Sequence, residues 1–296
     1  MPDVIYPPQA LRRAVVLSFV MIVLASTAAA ATKFASATVS TEAIVTVQYF
    51  ICLLMCLPRI ARHSLASQRT HRLSLHLLRG VAGVAGFYLF YVALEHIPMV
   101  DAMLLRQSAP LLVPVVLWTW SRERVARSAW WPLSIGFIGI VIILRPSTAG
   151  LSGWHAAGFL SALTLAISMV ATGKLATTEP TYRIVFYYAV LSLVCVAPFS
   201  IGDFSGLTLT DWAALLYIGF AISLVLNLYT QAYGLAPAAT IAPINYFAVP
   251  LAGIWGWMFW GQVPDGWSLA GGLLVITGGI LTLVFAQQSR SESRDS

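Results

Sequence analysis

Charge is what this chain has least of. Only 9% of its 296 residues are Asp, Glu, Lys or Arg, 59% are hydrophobic, and mean hydropathy is +0.82. A soluble domain carries about 25% charged residues, so water is excluded as the solvent for most of this surface. Cysteine is scarce as well. Cys52 and Cys56 stand four apart in one apolar run and Cys195 lies in another, with no metal-ligand spacing, so small apolar packing groups are expected. Linkers long enough to hold a soluble domain are missing. A net charge of +6 suits nucleic acid, but the basic residues avoid the apolar stretches and gather in the joints, which explains the sign by membrane orientation.

Long apolar runs fill the remainder. A helix needs about 20 apolar residues to cross a bilayer. Ten segments meet that need: 13–33, 41–58, 75–94, 98–119, 129–145, 154–174, 182–200, 211–232, 238–259 and 267–286. The joints are short, so neighbouring helices are expected to run antiparallel. With a cytoplasmic amino terminus, 14 of the 17 Lys and Arg residues fall on the inside: Arg12, Arg13, Arg59, Arg62, Arg69, Arg72, Arg79, Arg122, Arg124, Arg127, Lys174, Arg183, Arg290 and Arg294. Lys33 and Arg145 fall outside, and Arg106 lies within a span. A miscounted helix would scramble that asymmetry. Arg12-Arg13 before an apolar run ending in Ala28-Ala29-Ala30 also reads as a cleaved signal, but the run is long for one and nine spans follow.

The chain repeats itself at an offset of 139 residues. Tyr91-Val-Ala-Leu-Glu-His-Ile-Pro98 matches Thr230-Gln-Ala-Tyr-Gly-Leu-Ala-Pro237; Glu123 pairs with Gln262, Gly139 with Gly278, and Pro110 with Pro250 after a one-residue slip. Each half holds five helices, an odd number, so the second half enters from the opposite side. The expected fold is therefore an all-α membrane protein of ten transmembrane helices in two five-helix inverted repeats, 13–146 and 153–286, with 1–12 and 287–296 as cytoplasmic tails. In such folds the solute site lies near the midplane between the halves.

Ala93-Leu-Glu-His-Ile-Pro-Met-Val-Asp-Ala, Ala109-Pro-Leu-Leu-Val-Pro, Arg122-Glu-Arg-Val and Gly136-Phe-Ile-Gly resemble the EamA-like family of the drug/metabolite transporter superfamily. The second copy is similar: Tyr233-Gly-Leu-Ala-Pro-Ala-Ala-Thr-Ile-Ala-Pro, Pro250-Leu, and Gly271-Gly through Gly278-Gly279, as is the joint Lys174 to Glu179-Pro. The resemblance covers roughly 13–286. It implies two inverted five-helix halves around a central cavity and movement of small metabolites across a bacterial inner membrane. One departure is Gly261-Gln262, where the family usually has Gly-Glu; it removes a surface charge.

Arg106 is the costly residue. A guanidinium at mid-bilayer costs roughly 2.5–3.5 kcal/mol on insertion scales. It either meets an anionic or zwitterionic solute or holds backbone carbonyls as a structural group. Asp101 is the nearest carboxylate, but five residues along a helix is about 140° round it, so it is placed at the outer mouth instead. Asn245 occupies the repeat position of Arg106, with Tyr246 beside it. Asn227 and Gln231 form a polar i, i+4 face, and Tyr88 and Tyr91 an i, i+3 face that also reads as aromatic packing. These are the substrate-binding candidates. Pro110, Pro114, Pro243 and Pro250 remove intrahelical bonds and are hinge candidates, static kinks being equally compatible. Gly80, Gly83, Gly86 and the two Gly pairs let helices approach, and tryptophans near span ends form interface belts.

Gly150-Leu-Ser152-Gly153 matches the sequence around an intramembrane protease serine, but no histidine lies mid-span to activate it, and no carboxylate pair sits at mid-depth. An enzyme is not expected, nor a cofactor or metal. The chain is expected to be a multi-pass carrier of small organic metabolites in the bacterial inner membrane, both termini cytoplasmic. Export of amino acids or related compounds leads; uptake of a vitamin or nucleoside-like cofactor is the alternative, and a non-transporting membrane subunit the rival of another class. Coupling is either absent, as in facilitated or exchange transport, or runs through Asp101 or Glu95. The partners are a small metabolite and lipid, not nucleic acid; a homodimer stays open.

Overall fold

A computed structural model of the chain describes residues 8–60, 69–121, 130–144, 152–176, 178–235 and 244–295. Pro243, Glu123, Gly150, His63 and the basic residues Arg62, Arg122, Arg124, Arg127 and Arg145 lie outside them. The described residues form helices and turns, with no strand among them. In chain order the helices are α1 Pro8–Ala35, α2 Thr41–Ile60, α3 Leu73–His96, α4 Met99–Gln107, α5 Ala109–Ser121, α6 Trp130–Leu144, α7 Gly153–Ala176, α8 Thr181–Val196, α9 Leu209–Leu235, α10 Ala248–Trp260 and α11 Gly266–Asp295. Seven segments are long and apolar enough to cross a membrane, counting α4 and α5 as one run, and three apolar helices are shorter: Trp131–Ile143, Ala248–Trp260 and Gly266–Leu281. Large apolar side chains stand exposed along the outside, among them Val16, Phe19 and Val23 of α1, Ile138 and Val141 of α6 and Phe220 of α9. Trp118, Trp120 and Trp131 are exposed near one end of the bundle, Trp154, Trp212 and Trp267 near the other, where amphipathic rings favour a lipid headgroup region.

The face on which α1 begins is called the near face here, and the opposite one the far face. The ends of α1, α3 and α10 and the starts of α2, α4, α7, α9 and α11 meet at the far face. Lys33 there donates to the carbonyls of Leu94 and Ile97 (3.0 Å to the latter), Thr38 to Asp211 (2.6 Å) and Ser40 to Asp203 (2.6 Å).

The fourth run is broken. Pro110 has no N–H to give, so the helix changes course at Ser108, whose own N–H goes to Leu105 (3.1 Å) while that of Leu111 goes to Ser108 (2.9 Å). The same break occurs 139 residues later. Phe247 N–H reaches Ile244 (3.0 Å) and Val249 N–H reaches Tyr246 (3.0 Å), just before Pro250. Helix α5 and helix α10 then begin and end at positions 139 apart. Discontinuous helices of this kind suit irregular backbone lining a cavity inside a membrane.

Helix packing follows the same offset. Helix α3 lies along α7 as α1 lies along α9, and α2 packs on α9 as α8 packs on α3. Between α6 and α11 the contacts are reciprocal. A methyl group on Gly139 would come within 2.6 Å of the Gly271 carbonyl oxygen and 2.8 Å of the Val275 nitrogen; one on Gly278 would come within 2.8 Å of the Pro132 carbonyl and 2.5 Å of the Gly136 nitrogen. Pro132 and Gly136 are the offset mates of Gly271 and Val275. Residue i meeting j while the mate of j meets the mate of i is the mark of a two-fold axis. Gly278→Leu is therefore expected to lower thermal stability sharply, with several kcal/mol of overpacking against rigid backbone. Gly153→Ala, which meets nothing within 4 Å, serves as the neutral control in fluorescence-detected size exclusion after heating.

Candidate functional site

A cavity of about 290 Å³ opens between α2, α8 and α9 in the near half of the bundle. Helix α2 lines it with Cys52, Met55 and Cys56, α8 with Thr181, Tyr182 and Val185, and α9 with Ser223, Leu226 and Asn227. None of these lining residues carries a formal charge. Ser223 Oγ donates to Cys52 Sγ (2.9 Å), and the Asn227 side-chain amide donates back to the Ser223 carbonyl (2.9 Å). Cys52 and Cys56 are thus cavity walls as well as packing groups. All three cysteines are free thiols.

One turn deeper stand Tyr49 on α2 and Tyr188 on α8. Their hydroxyls are hydrogen-bonded at 2.8 Å, their rings meet edge to face at 5.5 Å, and both are buried. These two residues are 139 apart, so the two-fold axis passes through their hydrogen bond. Gly83 of α3 makes room for the Tyr188 ring, which a side chain at that position would overlap. The Arg79 guanidinium lies 4.2 Å from the centroid of that ring and donates to Thr172 Oγ1 (2.6 Å) and the Ile184 carbonyl (3.2 Å). Arg79 is therefore a helix-packing cation inside α3, not part of the basic joint before it. Sequence reasoning missed the tyrosine pair, although the offset of its members was the available signal.

Beyond the pair lies Arg106. Its Nη1 donates to the Gly86 carbonyl (3.1 Å), and its guanidinium sits 4.5 Å from both the Phe87 and Phe90 rings. The hydroxyls of Tyr91, Tyr188 and Tyr49 are within electrostatic reach. Arg106 is partly buried, faces α3, and is not part of the near cavity's wall. Among the described residues it meets no carboxylate.

The other candidates separate. Tyr91 is buried and bonds Gln48, whereas Tyr88 donates to Glu42 (2.6 Å) near the far face. Asn227 borders the cavity, while Gln231, one turn on, is exposed. Asn245 accepts through its backbone carbonyl from Gln107 Nε2 (2.9 Å), a bond that joins the two helix breaks across the halves. Tyr246 packs on Gly279 of α11. Asp101 is buried in the first turn of α4, 3.8 Å from His155, and Glu95 is exposed at the far face. Pro110 and Pro114 belong to α5 and Pro250 is exposed on α10. Ser152 is exposed ahead of α7, and His155 beside it turns to Asp101.

Two polar clusters tie the faces. At the far one, Gly261 ends α10 in the left-handed region (φ 62°), with the Gln262 and Gly261 N–H groups folded back onto Gly256 and Trp257 (both 3.0 Å). That turn places the Gln262 side-chain oxygen Oε1 to accept from the Met99 N–H (3.1 Å), capping α4. An amide accepts this bond as a carboxylate would, so Gln at this position keeps the cap. At the near face Glu179 pairs with His76 (2.7 Å), accepts from Thr70, and lies 3.9 Å from Arg183.

Burial alone would raise the Glu179 carboxyl. The hydrogen bonds from Thr70 and His76 and the charges of His76 and Arg183 outweigh it and hold the group below its ordinary 4.5. A depressed carboxyl stabilises the fold above its unfolded value and loses that contribution as pH falls through the folded one. Glu179→Gln is therefore expected to flatten the acid limb of thermal stability below about pH 4.5, read from the unfolding midpoint in detergent across pH.

Comparison with known proteins agrees with this geometry. The family model described as EamA-like transporter family matches twice, at residues 12–145 and 152–284. The chain is 33% identical over 202 residues to the pseudopaline exporter of Pseudomonas aeruginosa, covering 68% of this chain and 71% of that one. It is 30% identical to a riboflavin transporter of Rhizobium johnstonii, over 80% and 78% of the two chains, and 23% identical to an S-adenosylmethionine uptake transporter of Rickettsia bellii, over 83% and 84%. One crystal structure, 18% identical, superposes with a TM-score of 0.62 over 93% of this chain and 98% of that one, which establishes the shared fold. This chain is a membrane transporter of the EamA-like transporter family.

Proposed function

We propose that the protein carries a small organic metabolite with an anionic group, an amino acid or related compound, out of the cell across the bacterial inner membrane. The carrier is non-catalytic and has ten spans in two inverted halves, 13–146 and 153–286, with both termini and the near face cytoplasmic. The halves alternate access to a path between them. The observation that carries this is the near-face cavity: among the described residues a space lies between α2, α8 and α9 there, while Thr38–Asp211, Ser40–Asp203 and Gln262–Met99 tie the halves at the far face. The reciprocal contacts of α6 with α11 support the inversion, and the basic residues Arg12, Arg13, Arg69, Arg72 and Lys174 at the near face support its orientation. Arg106, charged and without a carboxylate among the described residues, supports an anionic solute. Asn227, Asn245, Tyr88 and Tyr91 remain candidates along the path, and Pro110, Pro114 and Pro250 candidates for its bending points. Tyr246 against Gly279 and the exposed Gln231 are the weaker members of the set.

The relative named as a pseudopaline exporter favours export. Those named for riboflavin and S-adenosylmethionine favour a second reading, uptake of a vitamin or nucleoside-like cofactor. Asp101, buried beside His155, is the better of the two coupling carboxylates, since Glu95 stands exposed. Purified protein screened by thermal shift against amino acids, riboflavin and S-adenosylmethionine is expected to be stabilised by one class, by about 2.7 kcal/mol at a hundredfold excess over Kd. Labelled solute from that class then accumulates in inside-out vesicles under export and in right-side-out vesicles under uptake. Absence of flux in both orientations for every stabilising solute would exclude carriage.

A further inference from the structure

We infer that the other access state opens a second cavity at the far face, lined by Glu42, Thr46, Phe87, Tyr88, Leu191 and Cys195, so that the solute path runs along the α2–α8 axis past the Tyr49–Tyr188 pair. This rests on the alternating-access reading above and names where that path leads.

The two-fold axis supplies the residues. Moving the near-cavity wall by 139 positions takes Thr181 to Glu42, Val185 to Thr46, Leu226 to Phe87, Asn227 to Tyr88, Cys52 to Leu191 and Cys56 to Cys195. The axis is visible in contacts as well as in numbering: Tyr49 bonds Tyr188, its own mate, and the α6–α11 contacts are reciprocal. A true symmetric pair of interfaces would look alike, and these two do not. At the near face, Thr181 and Asn227 border an open space of about 290 Å³. At the far face their mates are drawn together, with Tyr88 Oη donating to Glu42 Oε1 at 2.6 Å.

The same architecture therefore holds one interface open and its mate shut. Two halves of like fold can exchange those arrangements, because each already exists in the molecule. Residues on the axis border whichever side is open. The tyrosine pair stands one turn beyond the near cavity's wall now and stands as close to that of the far one after the exchange. Phe87 ties the far cavity to the cation: its ring faces the Arg106 guanidinium at 4.5 Å, so opening between Glu42 and Tyr88 brings solvent to the Arg106 side of the pair. The two mouths differ in charge. Glu42 puts a carboxylate at the far one, where the near one has Thr181.

The native cysteines provide the probe, since Cys56 and Cys195 are offset mates on opposite sides of the pair. Cys52→Ser/Cys195→Ser leaves Cys56 alone, and Cys52→Ser/Cys56→Ser leaves Cys195. In sealed vesicles of both orientations, a charged, membrane-impermeant methanethiosulfonate is expected to modify Cys56 from the near side and Cys195 from the far side. Tyr88→Phe, which deletes the far closure, is expected to raise the Cys195 rate and lower the Cys56 rate, shifting their ratio about tenfold. Thr181→Glu/Asn227→Tyr, which copies that closure onto the near face, is expected to shift it in the same direction. Variants are compared only as monodisperse, folded protein. Rates that move together, or a Cys195 that no variant exposes from the far side, would overturn the second cavity even if solute flux is intact. Opposed rates without flux of any solute would uphold the cavity and remove the transport reading instead.

Discussion

Arg106→Met is expected to cut the initial rate of solute flux by roughly 10–100-fold while the protein stays folded, the effect of losing one charge-assisted contact worth about 1.5–3 kcal/mol. The guanidinium is lodged between two phenylalanine rings with one carbonyl partner, Gly86, and no carboxylate among the described residues. Removing it gives up the Gly86 bond and the ring contacts but also relieves an expensive desolvated charge, so stability is expected to hold, while an incoming anion loses its partner. If the residue serves instead to hold the Gly86 carbonyl, methionine lowers the unfolding temperature and leaves flux per folded molecule unchanged. Arg106→Lys divides the two further. A lysine keeps the charge but not the planar fork that stacks on Phe87 and Phe90, so partial flux with weakened solute affinity is the expected outcome. Wild-type flux in Arg106→Met proteoliposomes would remove Arg106 from the path.

Asn227→Trp is expected to stop flux almost completely. Asn227 is on the wall of the near cavity, its amide bonded one turn back along α9 to Ser223, so an indole at that position is expected to fill the space between α2 and α8. A filled cavity adds apolar contact, and the variant should therefore unfold at or above the wild-type temperature. Gln231→Trp, one turn nearer the end of α9 and exposed, is the control and should carry normally. Equal loss in both variants would mean that α9 tolerates no bulk there, and equal flux in both would mean that solute does not use this cavity. Counterflow in proteoliposomes, normalised to folded protein, reads either result.

Much of this molecule is legible as composition and period. Few charges and repeated apolar runs dictate helices in lipid, because no backbone group in a bilayer can go unpaired. The offset that matches Gly139 with Gly278 foretold a symmetric pair of helices, and the structure packs each of those glycines against the backbone of the other's helix. Proline positions foretold the breaks near Ser108 and Phe247, since a missing N–H is a local property of the chain. Arg106 announced itself by cost alone.

Which side chains meet across the helices was decided elsewhere. The i, i+3 pair Tyr88 and Tyr91 splits, one bonding Glu42 at the far face and the other Gln48 in the core, because rotation of α3 against α2 is set by packing and not by spacing within α3. Arg79, counted among the joint cations, is drawn into the α3–α7–α8 interface by Thr172 and the Tyr188 ring. The polar partner of Arg106's neighbour is the Asn245 backbone, through Gln107, which no side-chain pattern reveals. By itself the sequence determined solvent, helix content, repeat and the presence of a buried cation, all of which follow from local residue chemistry. Only the tertiary structure decided that Tyr49 and Tyr188 share the axis, and that one of two matching interfaces is open while the other is closed. That choice depends on contacts between residues more than a hundred positions apart, whose energies exist only once the helices are packed.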